Sequence, residues 1–321
     1  KLPTGTFNMY VDIPKYRSIL SGEIAGDSII DPNISVGNRV TTASIANNSY
    51  QVVIGQNNTT LNGFEIYGGN ANVTGYITGA GVYGGRVMNC KVYNNTVSGY
   101  DFKGGGCHYC DISNSIIENN SKLGISGGGG GCSNSTCTNT LIRSNRSENS
   151  GGGCFASTCI NTFIGHNISS GGGGGLSDSS VAINCEIASN TTSGGSTNVG
   201  GGGGSNNSNN TNCNIHHNSA SASYNNSGGG GTSRGTNINC NIYCNLTTTV
   251  YWGGGTYNSA NINCAIYNNY SNNIGGGCYG GSAVNCTIIS NKAVAAGGTN
   301  NTTLKNTVVY GNKLTTMVKS N

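Results

Sequence analysis

The chain has 321 residues, of which 8% are charged, and its 15 basic and 11 acidic side chains give a formal net charge of +4. Basic residues form no cluster denser than Lys15 with Arg17, so nucleic acid is excluded as a partner. No apolar stretch approaches the roughly 18 residues of a membrane helix, so we predict no membrane span. Low charge together with 55 glycines and 14 cysteines is typical of an extracellular or cell-surface structural protein.

Residues 1–60 are the least regular part of the sequence. Apolar pieces such as residues 28–30 and 51–54 are typical of early, irregular coils. Residues 61–312 carry a regular repeat, and residues 313–321 follow it as a short tail. We therefore predict irregular N-terminal coils that act as a cap, then a regular repeat region, then a C-terminal tail.

The regular region repeats the heptad Asn-x-x-Ile/Val-x-x-Asn ten times, with spacings of 21 to 28 residues. In nine of the ten copies the first Asn lies eight residues after the last glycine of a Gly run. Such Gly runs exclude helical coils, because each glycine costs about 1 kcal/mol in a helix. One short apolar run per copy predicts an all-β, single-domain parallel β-helix with about 12 to 13 coils and Gly-rich corners.

Within the heptad, side chains alternate with period two. Counted from the first Asn, position +1 is small and position +3 is always Ile or Val, so both are predicted to face the core. Asn tolerates left-handed backbone geometry, and its amide can bond to the same amide in the next coil, about 4.8 Å away. We therefore predict asparagine ladders, with ligand binding by these columns as the alternative. The ladder formed by the second Asn consists of Asn95, Asn120, Asn145, Asn167, Asn190, Asn218, Asn245, Asn269, Asn291 and Asn312.

Position +4 is predicted to face outward, and four successive coils place large side chains there: Tyr243, Tyr267, Ile289 and Tyr310. Tyr67 and Tyr93 occupy the equivalent place near the other end of the chain. Such a stripe is either a stacking ladder that stiffens the sheet or an interface with a subunit or a carbohydrate. It is our candidate outer-face interface.

The cysteines favour an oxidising compartment and disulfides. Some of those at position +1 could instead be buried thiols that fill small core sites. Zinc is a weaker reading, because the residues 107–110 look like half a site without a second half. Within single coils, the cysteines five residues apart could pair across the coil or with the coil above. The candidate disulfide cysteines are Cys107, Cys110, Cys132, Cys137, Cys154, Cys159, Cys185, Cys213, Cys240, Cys264 and Cys286.

Sequons of the form Asn-x-Ser/Thr are frequent, and many fall in the variable stretch after the heptad. A chain rich in Asn, Ser and Thr produces such matches by chance, so each is weak alone. The candidate glycosylation sites are Asn33, Asn72, Asn134, Asn206, Asn225 and Asn301.

Several motifs match a known group of proteins. They are Ile19-Leu20-Ser21-Gly22-Glu23-Ile24, the segment from Asn58 to Ile66, and the repeated Gly-Gly-Gly-Cys and Asn-Cys-x-Ile-x-x-Asn. Over nearly the whole chain the sequence resembles right-handed parallel β-helix surface proteins of bacteria, the polymorphic outer-membrane-protein-like and related Gly/Asn-repeat families. The resemblance implies a right-handed β-helix, as does the general preference for right-handed crossovers. It says little about function.

The tail after Asn312 has no helix or charged segment that would cap the last coil. Uncapped strand edges recruit other chains. We therefore predict a structural subunit that assembles head-to-tail with copies of itself into an extracellular filament, fibre or sheath. The alternative is a cell-surface adhesin or carbohydrate-binding passenger domain, with surface glycans as partners.

Catalysis is not expected from the sequence. Parallel β-helices that cleave polysaccharides use paired carboxylates, but the 11 acidic residues place no two at the same outward position of adjacent coils. His108 and His216 have no evident acidic partner in the sequence. The Gly-Gly-x-Gly-x-Asp repeat of calcium-binding β-rolls is absent. We therefore predict that the chain is not an enzyme and has no cofactor.

Overall fold

The computed structural model describes residues 5–8, 11–12, 19–21, 38–41, 53–54, 60–71, 79–99, 103–124, 126–193, 201–221, 228–248 and 252–315. The described residues form β-strands, turns and bends, and all strand pairs are parallel. The predicted fold class, a parallel β-helix, is confirmed. The chain divides into two compact units, residues 1–163 and 164–321, called here the N-terminal and C-terminal units. The predicted division at residues 60 and 312 stays a prediction.

A single coil shows how the heptad builds the fold. In the coil that follows Gly228, strand a is Thr232–Ser233, strand b is Thr236–Ile238, strand c is Asn241–Tyr243 and strand d is Leu246–Thr247. Strand a follows the Gly run, strand c carries the heptad core residue, and strand d follows the second Asn. The variable stretch after strand d leads to the next Gly run, so insertions leave the four strands in register.

The N-terminal unit has the same strands with one difference, because strands a and b are continuous in its first two regular coils: Val82–Met88 and Cys107–Ser113. Strand a is then Cys132–Ser133 and Cys154–Phe155, and strand b is Thr136–Thr138 and Thr158–Ile160. Strand c is Glu65–Tyr67, Lys91–Tyr93, Ile116–Glu118 and Leu141–Arg143. Strand d is Asn70–Ala71, Thr96–Ser98, Ser121–Leu123 and Arg146–Ser147.

In the C-terminal unit, strand a is Leu176–Ser177, Ser205–Asn206, Thr232–Ser233, Thr256–Tyr257, Cys278–Tyr279 and Thr299–Asn300. Strand b is Val181–Ile183, Asn209–Thr211, Thr236–Ile238, Ala260–Ile262, Ser282–Val284 and Thr303–Lys305. Strand c is Glu186–Ala188, Asn214–His216, Asn241–Tyr243, Ala265–Tyr267, Thr287–Ile289 and Val308–Tyr310. Strand d is Ile168–Ser169, Thr191–Thr192, Ser219–Ala220, Leu246–Thr247, Tyr270–Ile274, Lys292–Ala295 and Lys313–Leu314. Strand Phe163–Gly165 lies at the boundary of the units.

The early part of the chain also forms coils. Its strands are Gly5–Asn8, Val11–Asp12, Ile19–Ser21, Asn38–Thr41, Val53–Ile54 and Thr60–Asn62. The first and fourth of these pair in the strand c column, because Asn38–Thr41 pairs with Glu65–Tyr67. The segment Val53–Ile54 pairs with Val82–Met88, in the strand a column. These pairings are those of irregular coils that precede the repeat.

The core follows the predicted alternation. The Ile or Val at position +3 is fully buried in coil after coil, for example at Val92, Ile142 and Ile242. Position +1 is buried as well, where small side chains fill the narrow space beside each turn. The last coil differs, because Val309 at position +3 is 40% exposed. No described strand pairs with the outer edge of Val308–Tyr310.

The turn geometry corrects one detail of the prediction. The first Asn of the heptad has positive φ, as at Asn239 with 54°, but the second Asn does not. The residue before the second Asn adopts the left-handed conformation instead, for example Cys244 with φ 52°. The reason is that the second Asn must direct its amide into the core, so the chain reverses one residue earlier.

The Gly runs form a strip in which backbones of adjacent coils touch. A Cβ atom on Gly231 would lie 2.7 Å from the carbonyl oxygen of Gly255, and one on Gly255 would lie 2.7 Å from that of Gly277. Amides in the strip bond from coil to coil, for example Gly230 N to Gly253 O at 3.1 Å. Glycine is therefore required by close backbone approach and not only by turn conformation.

The described residues contain no helix long and apolar enough to cross a membrane.

Candidate binding face

The outward face of strand c in the C-terminal unit is the strongest candidate site. It combines three columns that run from coil to coil. The first Asn column contains Asn184, Asn212, Asn239, Asn263, Asn285 and Asn306. The +2 column contains Glu186, Asn214, Asn241, Ala265, Thr287 and Val308. The +4 column contains Ala188, His216, Tyr243, Tyr267, Ile289 and Tyr310. We call these three columns the binding face.

The +4 column is a stack of aromatic rings. The ring centroids of Tyr243 and Tyr267 lie 5.0 Å apart with planes 5° from parallel, and His216 stacks on Tyr243 at 4.8 Å. Ile289 continues the column and is half-buried, whereas Tyr310 in the last coil is 76% exposed. Because the rings cover one another, they present mainly their edges and hydroxyl groups to solvent. Burial raises the pKa of Tyr243, so its hydroxyl stays neutral and able to donate a hydrogen bond.

Amide side chains flank the aromatic column. The Nδ2 of Asn241 donates to the Oδ1 of Asn214 at 2.9 Å, and both side chains are exposed. In the first Asn column, Asn239 donates to Asn212 at 3.2 Å and Asn263 donates to Asn239 at 3.2 Å. Each exposed amide uses part of its hydrogen-bonding capacity within the column. The remaining donor and acceptor sites face solvent at every coil.

His216 has an acidic partner, contrary to the prediction from the sequence. Its Nε2 lies 3.2 Å from Oε1 of Glu186 in the preceding coil, and its Nδ1 lies 2.8 Å from Nδ1 of His217. Burial lowers the pKa of His216 and outweighs the opposing effect of Glu186. A neutral arrangement satisfies both contacts, with His217 Nδ1–H donating to His216 and His216 Nε2–H donating to Glu186. The partner was missed because 30 residues separate the two side chains in sequence.

The equivalent face of the N-terminal unit is charged. Tyr67 and Tyr93 stack at 4.9 Å, and Glu118 lies between Lys91 at 2.9 Å and Arg143 at 2.8 Å. Burial acts to raise the pKa of Glu118, but the hydrogen bonds from Lys91 and Arg143 outweigh it and the pKa lies below its usual value. This ion-pair network occupies the outward positions that hold uncharged amides and rings in the C-terminal unit.

The second Asn of each heptad lies in a buried ladder. In the N-terminal unit Asn95 donates to Asn120 at 3.0 Å and Asn120 donates to Asn145 at 3.1 Å. The seven from Asn167 to Asn312 repeat the bond at 3.0 Å in the C-terminal unit. Each amide also donates to a core carbonyl of the preceding coil, as Asn245 does to Ile215 at 2.8 Å. A side chain so enclosed is structural and has no access to a ligand.

The structure holds all 14 cysteines as thiols, and those at position +1 have a local role. The sulfur of Cys240 lies 3.3 Å from the carbonyl oxygen of Ile238, two residues earlier. Thr140 and Thr162 place their hydroxyl groups at the same kind of carbonyl, at 2.9 Å. The same contact recurs at Cys185, Cys213, Cys264 and Cys286. The thiol at position +1 thus replaces a Ser or Thr that bonds to the backbone.

The remaining candidate cysteines lie in the core of the N-terminal unit. Cys107, Cys132 and Cys154 occupy one register position of strand a, and Cys137 and Cys159 occupy one of strand b. Cys110 lies beneath the turn, with its sulfur 3.3 Å from the carbonyl oxygen of His108. All six are buried. Among the described residues, no group of three or more His, Cys, Asp or Glu is arranged to hold a metal ion.

The candidate glycosylation sites divide into three groups. Asn301 is exposed and Asn134 is partly exposed, so both remain candidates. Asn206 is 4% exposed, and a glycan on it does not fit the folded structure because the attachment atom is enclosed. Asn33, Asn72 and Asn225 lie outside the described residues.

No protein-family model and no curated protein sequence matches this chain. Solved structures with a similar fold include the A-module of mannuronan C-5 epimerase AlgE4 from Azotobacter vinelandii, with 12% identity, 86% of both chains covered and a TM-score of 0.42. A second is endo-xylogalacturonan hydrolase from Aspergillus tubingensis, with 10% identity, 92% of this chain and 94% of that chain covered, and a TM-score of 0.28. A third is PfbA, a surface adhesin of Streptococcus pneumoniae, with 10% identity, 87% and 82% covered, and a TM-score of 0.26.

These structures are right-handed parallel β-helix proteins, so the coarse resemblance is confirmed, whereas no match supports the polymorphic outer-membrane-protein-like family in particular. The prediction that the chain is not an enzyme is wrong, because an epimerase and a hydrolase are among the similar structures. At 10–12% identity the likeness shows the fold alone, and it argues for no particular activity of this chain.

Proposed function

We propose that this protein is an extracellular, cell-surface protein that binds glycans through the binding face of its C-terminal unit. The observation that carries the proposal is that the stacked rings of His216, Tyr243 and Tyr267 lie beside the paired amides of Asn214 and Asn241 and the column of first Asn residues. Phenol and amide groups can both donate hydrogen bonds to sugar hydroxyls and accept them, and a repeat of about 4.8 Å along the solenoid suits an extended polymer. The adhesin-like function therefore has more support than the filament predicted first.

The electrostatics of the face favour an uncharged ligand. From Asn214 to Ile289 the outward positions of strand c hold amides, phenols, a neutral imidazole, Ala, Thr and Ile. The only carboxylate on the face, Glu186, lies at one end and is engaged by His216. This surface has no Lys or Arg that could pair with a polyanion. A neutral polysaccharide would bury no unpaired charge of its own on binding, so the cost of desolvation is smaller.

The test is affinity electrophoresis of the whole chain through gels that contain neutral or uronic-acid polysaccharides. We expect a neutral polysaccharide to retard the wild type and Tyr243→Ala with Asn241→Ala to remove the retardation. Tyr67→Ala is the matched control, because it removes a stacked tyrosine from the other unit. Retardation unchanged by the Tyr243 and Asn241 substitutions would refute the proposed face. Loss of melting temperature without loss of binding would show that the ring stack is only structural.

A second candidate function is head-to-tail self-association through the outer edge of strand Val308–Tyr310, which no described strand covers. Val309 is 40% exposed and Val308 is 60% exposed, whereas Ile288 in the preceding coil is fully buried. A second copy of the chain could cover this edge with a parallel coil of the same spacing. Sedimentation of the wild type and of Val308→Lys at several concentrations tests it. A wild type that stays monomeric throughout would rule this function out.

A further inference from the structure

Two coils of the N-terminal unit bring buried cysteines together at the corner between strands a and b. The sulfurs of Cys154 and Cys159 lie 3.4 Å apart, and both residues are fully buried. Cys132 and Cys137 occupy the same register positions in the preceding coil, since Cys132 pairs with Cys154 and Cys137 with Cys159. We propose that disulfides join Cys154 to Cys159 and Cys132 to Cys137, so that each coil is closed covalently across its own corner. This proposal does not depend on the proposed function.

The repeat itself shows that this pair of positions meets within one coil. In the C-terminal unit the same two positions, five residues apart, hold a hydroxyl and an amide that bond across the corner. Asn210 donates to Ser205 at 3.0 Å, and Asn237 donates to Thr232 at 3.0 Å. Asn261 makes the corresponding bond to Thr256 at 3.3 Å. The cysteine pairs therefore occupy the two positions at which other coils form a side-chain hydrogen bond between strands a and b.

Pairing between coils is geometrically poorer. Neighbours in register on a parallel sheet project their side chains in the same direction, so their Cβ atoms stay about 4.8 Å apart. A disulfide needs Cβ atoms about 3.5–4.5 Å apart and side chains that converge. Cys154 and Cys159 lie on two strands joined by a turn at Ala156, which has φ 48°, and both point into the core. Their sulfurs approach to 3.4 Å, whereas Cys132 and Cys154 also interact but are in-register neighbours on adjacent parallel strands.

The chemistry requires an external disulfide as oxidant, either a small molecule or a thiol–disulfide oxidoreductase. The thiolate of one cysteine attacks a sulfur of the oxidant, forms a mixed disulfide and releases one thiolate. The second cysteine then attacks the mixed disulfide and releases the second thiolate. The protein loses two protons and two electrons, and the oxidant becomes two thiols. Because all four sulfurs are buried after folding, each bond must form before its coil closes, and a reductant cannot reach it afterwards.

Peptide mapping can distinguish the pairings. The full-length chain is refolded with oxidised and reduced glutathione. It is then unfolded in the presence of iodoacetamide, which alkylates free thiols, and cleaved at acidic residues. Glu118, Glu148 and Asp178 bound two peptides, 119–148 with Cys132 and Cys137, and 149–178 with Cys154 and Cys159. We expect each peptide to be separate, two hydrogens lighter than its reduced form, and free of alkylation.

Two results would overturn the proposal. A single species that contains both peptides would show pairing between coils, and alkylation of both cysteines in each peptide would show thiols. The control variant Cys154→Ser with Cys159→Asn copies the hydrogen-bonded pair of Ser205 and Asn210. In that variant the bond in peptide 119–148 should persist, because each coil closes independently. Its loss would also contradict closure within one coil.

Discussion

Replacing Asn245 by Ala tests what the buried ladder contributes to stability. The Oδ1 of Asn245 accepts from the backbone N–H and the Nδ2 of Asn218, each at 3.0 Å. Its Nδ2 donates to the carbonyl of Ile215 at 2.8 Å and to Oδ1 of Asn269 at 3.0 Å. The substitution orphans the buried N–H of Asn218, which costs about 1–3 kcal/mol, and weakens three further bonds by about 0.5–1 kcal/mol each. We expect a loss of about 3–5 kcal/mol in the free energy of unfolding.

The matched control lies in the same coil. Asn239→Gly removes an exposed amide and keeps the left-handed turn, because Asn239 has φ 54° and glycine adopts that conformation freely. We expect this variant to lie within about 0.5 kcal/mol of the wild type. Urea unfolding followed by circular dichroism measures both variants. If the unfolding free energy of Asn245→Ala lies within about 1 kcal/mol of that of Asn239→Gly, which is the smallest cost of orphaning a buried N–H, the ladder does not stabilise the fold as its geometry indicates.

Three further predictions concern the core and the corners. Burial lowers the pKa of His108 from 6.5 to about 4, so the stability that neutral His108 contributes is full above pH 6.5 and is lost as the pH falls towards 4. At pH 5 the free energy of unfolding should be lower by about 2 kcal/mol. In urea titrations His108→Ser should abolish this pH dependence. Cys154→Ser with Cys159→Asn should lower the unfolding free energy by about 2 kcal/mol in the oxidised protein, and a reduced wild type should unfold like this variant. Gly231→Ala should cost about 1–3 kcal/mol by forcing a Cβ against the next coil, whereas Gly311→Asn should not change the melting temperature.

Much of the fold could be predicted because the solenoid repeats in sequence what it repeats in space. The spacing of Gly run and heptad placed Ile242 and its equivalents in the core, and they are fully buried. The left-handed turn before the second Asn was not predicted, because that position varies between coils, from Asn268 through Ser189 to Cys244, and no single residue type marks it. There the ladder amide fixes the backbone, and the preceding residue accepts the strained conformation.

The candidate site was less predictable. The tyrosines at position +4 could be found from spacing, but the flanking amides of Asn214 and Asn241 could not be separated from a general richness in Asn. The contact between Glu186 and His216 was not predicted, because the two side chains occupy different positions, +2 and +4, in adjacent coils. A diagonal contact of this kind depends on side-chain length, which a comparison of equivalent positions does not capture.

Buried and exposed columns respond differently to substitution for a physical reason. A buried ladder position must be both donor and acceptor to the coils on either side, and a carboxamide of the right length meets both demands, so none of the ten heptad copies replaces the second Asn. At position +4, solvent can satisfy whatever a neighbouring coil does not, so the column changes from His216 through Tyr243 to Ile289 without a change of backbone. Under the proposed function, substitutions at position +4 would alter the ligand while the ladder keeps the coils stacked. Exchanging Tyr243 for the Ile found at position +4 in a later coil should then change binding with no measurable change in unfolding.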